Sequence, residues 1–396
     1  MRGWFLVLVV LFAFPLCIYA IPQFSALTGN RCSSCHVNPS GGGVRNDLGW
    51  YAWHDVSVVP RSSSALSWLY PADESNRYFN GTTTIGMDLR VQNTRGTAEG
   101  SQRVTFPMQA ALYAAFTPVK AVTLDGSFNI AALRVRPNTD QQVRYPGQRM
   151  GTYSALIQPD NSWPILRTGL IRPSFGMRYD DHTTAPYSYT NGTARNNYLP
   201  PDFAEYGAEV TYESAKWLTL QAGVFGTSAL SQVQLSNGVS GAPFTSVISG
   251  NSPTISARAV VWPHFNGTDV TAWLGASLLN NGNFSIASAM GSVGWTDHLS
   301  LMVDLTAVSL TNTQSSRNIM TELMWQIYSP LFVYARYENY STTYAGTAQT
   351  VTSQATVLGG QIFVLPYVEL RPEYRIWDTA LEGTTNRWNL QLHIFY

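Results

Sequence analysis

The sequence predicts an all-β fold: a transmembrane antiparallel β-barrel of about 16 strands, preceded by a short, mainly helical or irregular segment. Three observations predict it. First, charged residues keep to one parity over long stretches. Ile85, Met87, Leu89 and Val91 alternate with Gly86, Asp88, Arg90 and Gln92, and Val368, Leu370, Pro372, Tyr374 and Ile376 alternate with Glu369, Arg371, Glu373, Arg375 and Trp377. Successive strand side chains point to opposite faces, so each such segment has one apolar and one wet face, as a wall between lipid and a polar lumen requires. Second, only 12% of the residues are charged while 13% are aromatic; ordinary soluble domains carry about a quarter charged residues. Third, short and long polar connections alternate along residues 76–396.

Residues 1–20 have the layout of a cleavable signal peptide, with Arg2 as the positive start, an apolar run from Trp4 to Phe14, and Tyr19-Ala20 at the cleavage site. Cys17 lies inside it, and Pro15-Leu16 before it fits a lipoprotein signal poorly. No second apolar run of about 20 residues follows, so no transmembrane helix is expected. Residues 21–75 lack period-2 alternation. Phe24 to Leu27 starts a helical turn, Gly41-Gly42-Gly43 breaks it, Asn46 or Asp47 caps a short helix through Tyr51, and Ser57 to Ser67 forms a linker. About 55 residues cannot fill an independent core, so this segment must lean on something larger.

From residue 76 onward the turns give the strand count. Tight connections fall near Pro118-Val119, Asn161–Pro164, Ser214–Lys216, Pro263–Asp269, Thr296-Asp297, Tyr328–Pro330 and Leu365–Tyr367. Longer ones alternate with them, at Pro137–Met150, Asp180–Phe203, Ala229–Pro253 and Tyr340–Thr352 among others, with the shortest around Asn280–Asn283. Seven short and eight long connections make 16 strands and put both barrel ends on the short-turn side, the periplasmic side in such barrels. The last strand sets Trp388, Leu390, Leu392, Ile394 and Tyr396 against Arg387, Asn389, Gln391, His393 and Phe395. It resembles the C-terminal strand of bacterial outer-membrane proteins, which ends on an aromatic residue.

The motif that carries chemistry is Cys32-Ser33-Ser34-Cys35-His36. C-x-x-C-H is the attachment pattern of a c-type haem, in which two thiols bond the porphyrin and the adjacent His ligates the iron. A disulfide is the alternative in an oxidising compartment. Zinc would need two further ligands, and no βαβ pattern supports a thioredoxin-like site. One N-terminal C-x-x-C-H, with the neighbouring Val37-Asn38-Pro39-Ser40-Gly41-Gly42-Gly43, followed by a barrel resembles the fused cytochrome–porin family of bacterial outer membranes. That resemblance implies one covalent haem c, electron exchange across the envelope and a link to iron oxidation. The implied partners are a periplasmic c-type cytochrome or similar carrier and an extracellular metal ion or mineral. The lysine-free Gly41-Gly42-Gly43 is no phosphate loop, and 24 basic residues balanced by 24 acidic ones leave no nucleic-acid footprint.

His36 is expected as the proximal iron ligand and His54, in the same segment, as the first candidate for the distal one. By strand parity Met87 points outward, whereas His298, His393 and Met324 point inward as rivals. Inward charges are expected at Asp88, Arg90, Glu205, Glu209, Glu213, Glu322, Arg336, Glu338, Glu369, Arg371, Glu373 and Arg375, as paired wall residues or as a means of holding the haem segment or a cation. Asp180-Asp181-His182 is a weaker surface cation candidate. Two other functions stay open: a solute porin with a peripheral haem, and a haem enzyme with a vacant sixth position.

Overall fold

The computed structural model describes residues 22–52, 56–63, 66, 68, 70, 75–97, 103–131, 134–135, 142–143, 147–177, 184, 186–190, 195–200, 202–235, 245–246, 248 and 252–396. The expected signal peptide with Cys17, the distal candidate His54, and Asp180-Asp181-His182 lie outside the described residues.

Three short helices open the described chain: α1 (Pro22–Thr28), α2 (Cys32–Cys35) and α3 (Asp47–Tyr51). The barrel strands follow. They are β1 (Thr83–Gly96), β2 (Arg103–Val119), β3 (Val122–Asn129), β4 (Gly151–Ile157), β5 (Ile165–Ile171), β6 (Glu205–Tyr212), β7 (Leu218–Phe225) and β8 (Thr254–Val261). They continue as β9 (Val270–Asn280), β10 (Phe284–Trp295), β11 (Leu299–Leu310), β12 (Gln314–Tyr328), β13 (Leu331–Tyr344), β14 (Gln349–Leu365), β15 (Val368–Thr379) and β16 (Gly383–Phe395). All pair antiparallel with their sequence neighbours, and β1 pairs with β16 from Asp88↔Phe395 to Gly96↔Arg387. This closes a 16-stranded barrel, to which the two-residue strand Arg77–Tyr78 is added beside β1.

The seven tight turns fall where the sequence places them, so the chain enters and leaves the barrel at the short-turn end. Parity also holds. Ile85, Met87, Tyr206, Val210, Trp388 and Leu390 are exposed on the outer face, while Asp88, Arg90, Glu205, Glu209, Glu322, Arg336, Glu338, Glu369, Glu373 and Arg375 are buried inside. Exposed Trp163, Trp217, Trp295, Trp325 and Tyr328 lie near the short turns, the place of an interfacial aromatic girdle. One connection differs from expectation. Tyr340–Thr352 is not a long loop, because β13 and β14 run on as paired strands to Tyr344↔Gln349. Its Thr and Tyr residues suit a pleated surface, and inward Tyr340, Thr342 and Tyr344 are buried.

What buries them is the β5–β6 connection, which folds into the lumen. Within it Ser188–Thr190 pairs with Arg195–Asn197. The Thr190 amide donates to Thr342 Oγ1 (3.1 Å), Tyr344 donates to the Thr190 carbonyl (2.8 Å), and Asn318 donates to the Ser188 carbonyl (2.7 Å). Phe175, Tyr189, Tyr198, Leu199 and Phe203 form one apolar cluster with Leu230, Val233 and Ile248 from the β7–β8 connection and with Phe284 and Leu310 from the wall. Packed protein thus lies across the long-loop end of the lumen.

Candidate functional site

The N-terminal segment occupies the opposite mouth. Helix α1 puts Phe24, Ala26 and Leu27 on wall residues that share its lumen face. Phe24 meets the Phe332 ring edge-on at 5.2 Å, Thr271 donates to the Ala26 carbonyl, and the Asp297 amide donates to the Leu27 carbonyl (3.1 Å). Burial of Phe24 and Leu27 contributes roughly 1.5–3 kcal/mol each. Wall glycines make room: a Cβ on Gly294 would stand 2.1 Å from the Ala26 carbonyl oxygen. Trp50, on α3, stacks on Tyr367 (5.7 Å, 28°) and meets Tyr396 edge-on, so the segment leans on the barrel's last two short-turn elements.

Helix α2 carries Cys32 and Cys35, with His36 as its C-cap in extended conformation. The motif is held from several sides. Arg31 donates to the carbonyls of Glu213 (3.0 Å) and Ala215 (2.7 Å) in the β6–β7 turn, and Ser33 hydrogen-bonds the Glu213 carboxylate. Asn46 donates its side-chain N–H to the carbonyls of Ser33 and Ser34 and its backbone N–H to that of Cys35, while its Oδ1 caps α3 at the Gly49 amide. From His36 the chain turns back on itself, with His36 bridged to Arg45 and the Val37 amide bonded to the Val44 carbonyl. The turn between them is fixed to the lumen by Ser40, which hydrogen-bonds Ser174 and accepts from Gln221 (2.7 Å).

Gly41, Gly42 and Gly43 all have positive φ, a region that strains side-chain-bearing residues. A Cβ on Gly41 would touch Cys32 Sγ at 3.4 Å, whereas one on Gly42 would meet nothing within 4 Å. Bare backbone therefore lies against Cys32 with open space beside it. Gly49 is tighter still, since a Cβ there would sit 2.0 Å from the Cys35 carbonyl oxygen. Gly49→Ala should push α3 off the motif at an overpacking cost of about 1–3 kcal/mol or more. The expected readout is protease cleavage within 22–52 under conditions that leave the wild-type segment intact.

The electrostatics of the site follow from burial. Cys35 is 1% exposed; burial, then the neighbouring Cys32, pushes its thiol up to about 12 against the pull of Arg45. No disulfide joins the two cysteines. Among the described residues no group of three or more His, Cys, Asp or Glu side chains is placed to hold a metal ion. Burial also raises the Glu213 carboxyl, opposed by its bond from Ser33 and by Arg31, and lowers the Arg31 guanidinium. In the β10–β11 turn burial lifts Asp297 to about 6, with His298 opposing. An acid raised in the folded state stabilises only while neutral, so its contribution is full below pH about 4 and lost as pH rises through about 6. Docking of α1 on this turn should weaken between those values and then level off, with Asp297→Asn removing the dependence. Protease sensitivity of residues 22–30 against pH measures it.

The rival ligands fall in different places. Met324 is inside and fully buried, in one cluster with Phe24, Leu27 and Trp50. His393 is inside too, but both ring nitrogens are engaged: Nε2 stands 3.0 Å from Asp88 Oδ1 and Nδ1 3.0 Å from Glu369 Oε2. Arg45 joins this network from the segment, 3.5 Å from Asp88 and over the Phe395 ring at 4.6 Å. His298 does not point inward. It belongs to the turn before β11, where strand parity does not extend, and stacks at 4.6 Å on Trp295, which is exposed on the outer face.

Comparison with solved structures places the architecture. OprB of Pseudomonas putida superposes with a TM-score of 0.53 at 11% identity, covering 87% of this chain and 99% of that one. A loop-deletion form of OmpT, an outer-membrane protein of Vibrio cholerae, gives 0.52 at 12%, covering 80% and 99%. The outer-membrane channel DcaP of Acinetobacter baumannii gives 0.52 at 10%, covering 79% and 97%. The fold is that of outer-membrane porin-like barrels. No family model and no curated protein matches the sequence. What sequence parity did not reveal is the inward fold of the β5–β6 connection and the convergence of Asp88 and Glu369 on His393, joined by Arg45 through Asp88, which depends on three-dimensional closure of β1 on β16.

Proposed function

We propose that this chain is an outer-membrane monohaem cytochrome–porin, exported by its signal peptide, with both barrel ends at the periplasmic side. It passes electrons between an extracellular donor or acceptor, Fe(II) being the first candidate, and a periplasmic carrier. The observation that carries this reading is a C-x-x-C-H motif held by the wall in the short-turn mouth of the barrel. Two unbridged cysteines on one helical turn, an adjacent His, and bare backbone at Gly41 beside open space at Gly42 suit a covalent porphyrin, whose bond to the 1% exposed Cys35 requires the segment to open around that thiol. Cys32 and Cys35 would hold the group through thioether bonds, with His36 as the proximal iron ligand and His54 as the distal one. Bound there, haem c supplies a one-electron couple. The chain sets its surroundings: Trp50 is buried on α3, Val37 packs against Val44 and Tyr113, and the Arg45 charge acts on Cys35. The approach of Fe(II) as substrate would be from the long-loop side, and that of a carrier protein from the short-turn side.

The test is denaturing electrophoresis with haem-peroxidase staining, followed by redox titration and stopped-flow mixing with Fe(II). Expected are a stained band that vanishes in Cys32→Ala/Cys35→Ala and a low-spin spectrum that turns high-spin in His54→Ala. An unstained wild type would end the cytochrome reading. Haem with a potential well below the iron couple, not reduced by Fe(II), would end iron oxidation as its role.

A further inference from the structure

We propose that the lumen also holds a site for a soft monovalent metal ion, copper(I), built from the thioethers of Met177, Met290, Met302 and Met320 and the carboxylate of Asp304. The four methionines belong to one buried cluster, none more than 4% exposed, together with Trp262 and Trp273. Register explains the convergence. Met290 on β10, Asp304 on β11 and Met320 on β12 are direct cross-strand partners on the inner face, where opposite Cβ atoms stand about 4.5–5.5 Å apart. Met302 lies two residues before Asp304 on the same face, and Met177 comes from the inward-folded β5–β6 connection, its backbone N–H turned to the Asp304 carboxylate.

Asp304 makes this more than apolar packing. It is 1% exposed. Its Oδ1 accepts from Ser288 (2.6 Å) and Thr306 (3.1 Å), but its Oδ2 is buried with no hydrogen-bond partner. Arg258, the cation that acts on it, is engaged elsewhere, donating to the Gly176 carbonyl (2.9 Å) and to Gln221 (3.0 Å). A buried carboxylate oxygen without a partner is costly. A bound cation relieves that cost, and the donor set selects which cation. Thioethers do not compete with water for magnesium or calcium but favour copper(I). Methionine used only to fill a gap gives no reason to put a carboxylate among four sulfurs.

The experiment uses the purified exported barrel with Cys32 and Cys35 replaced by Ala, so that neither thiols nor haem contribute. Folding is verified by heat-modifiable electrophoretic migration. Anaerobic titration with copper(I) against the chelator bicinchoninate should show a single ion bound per chain, with a sulfur-dominated X-ray absorption shell. The volume-conserving Met290→Leu/Met320→Leu pair and Asp304→Asn should each weaken binding about tenfold or more. Should Asp304→Asn not fold, the methionine pair decides. No copper retained against the chelator, a shell without sulfur, or affinity unchanged in the folded variants would overturn the site.

Discussion

Arg336→Ala should lower barrel stability by about 3–5 kcal/mol, because it leaves two buried carboxylates without their cation. Arg336 Nε stands 2.7 Å from Glu338 and Nη1 3.4 Å from Glu322, and none of the three side chains is more than 1% exposed. Glu322 is its direct cross-strand partner and Glu338 lies two residues on along the same face. The measurement is urea unfolding from lipid vesicles, followed by electrophoretic mobility. Replacing the whole triad by Met and Leu should recover most of the loss, since apolar replacement also removes the desolvation cost. An unfolding midpoint unchanged in Arg336→Ala would show that the triad does not stabilise the wall.

In planar bilayers the full-length protein should conduct about tenfold less than a variant lacking residues 22–52 and the inward fold 186–200, since barrels of 16 strands are otherwise wide enough for an aqueous channel. The deletion removes packed protein from both ends of the lumen: Phe24, Leu27 and Trp50 at one mouth, Tyr189, Tyr198 and Leu199 at the other. This separates the electron-transfer reading from a solute porin. Open-channel conductance in the full-length protein, insensitive to loss of haem, would favour the porin.

Much of this was legible in the sequence, for local reasons. Parity at Asp88, Arg90, Glu205, Glu209 and Glu369 sorted inward from outward because a strand has only two faces. Turn chemistry located the seven tight connections, and of the two cap candidates Asn46 and Asp47 the first caps α3. Where local rules end, so did the reading. His298 sits one residue before its strand, and Tyr340–Thr352 is polar because an inserted loop covers it, not because it is itself a loop. The docking of α1 on Thr271, Gly294 and Asp297 joins positions more than 240 residues apart in sequence. Nothing in the spacing of Phe24 or Ala26 could name those partners.

The burial of Cys35 bears on the order of events during biogenesis. With 1% of its surface exposed, its carbonyl bonded to the Asn46 amide and Gly49 pressed against it, the thiol is out of reach of any attaching enzyme once the segment has docked. In the reading proposed above, the N-terminal segment must therefore receive its porphyrin while the chain is still a soluble, unassembled intermediate between the two membranes. The assembly machinery would then fold a barrel around cargo already loaded, so that maturation of the cofactor precedes insertion into the membrane.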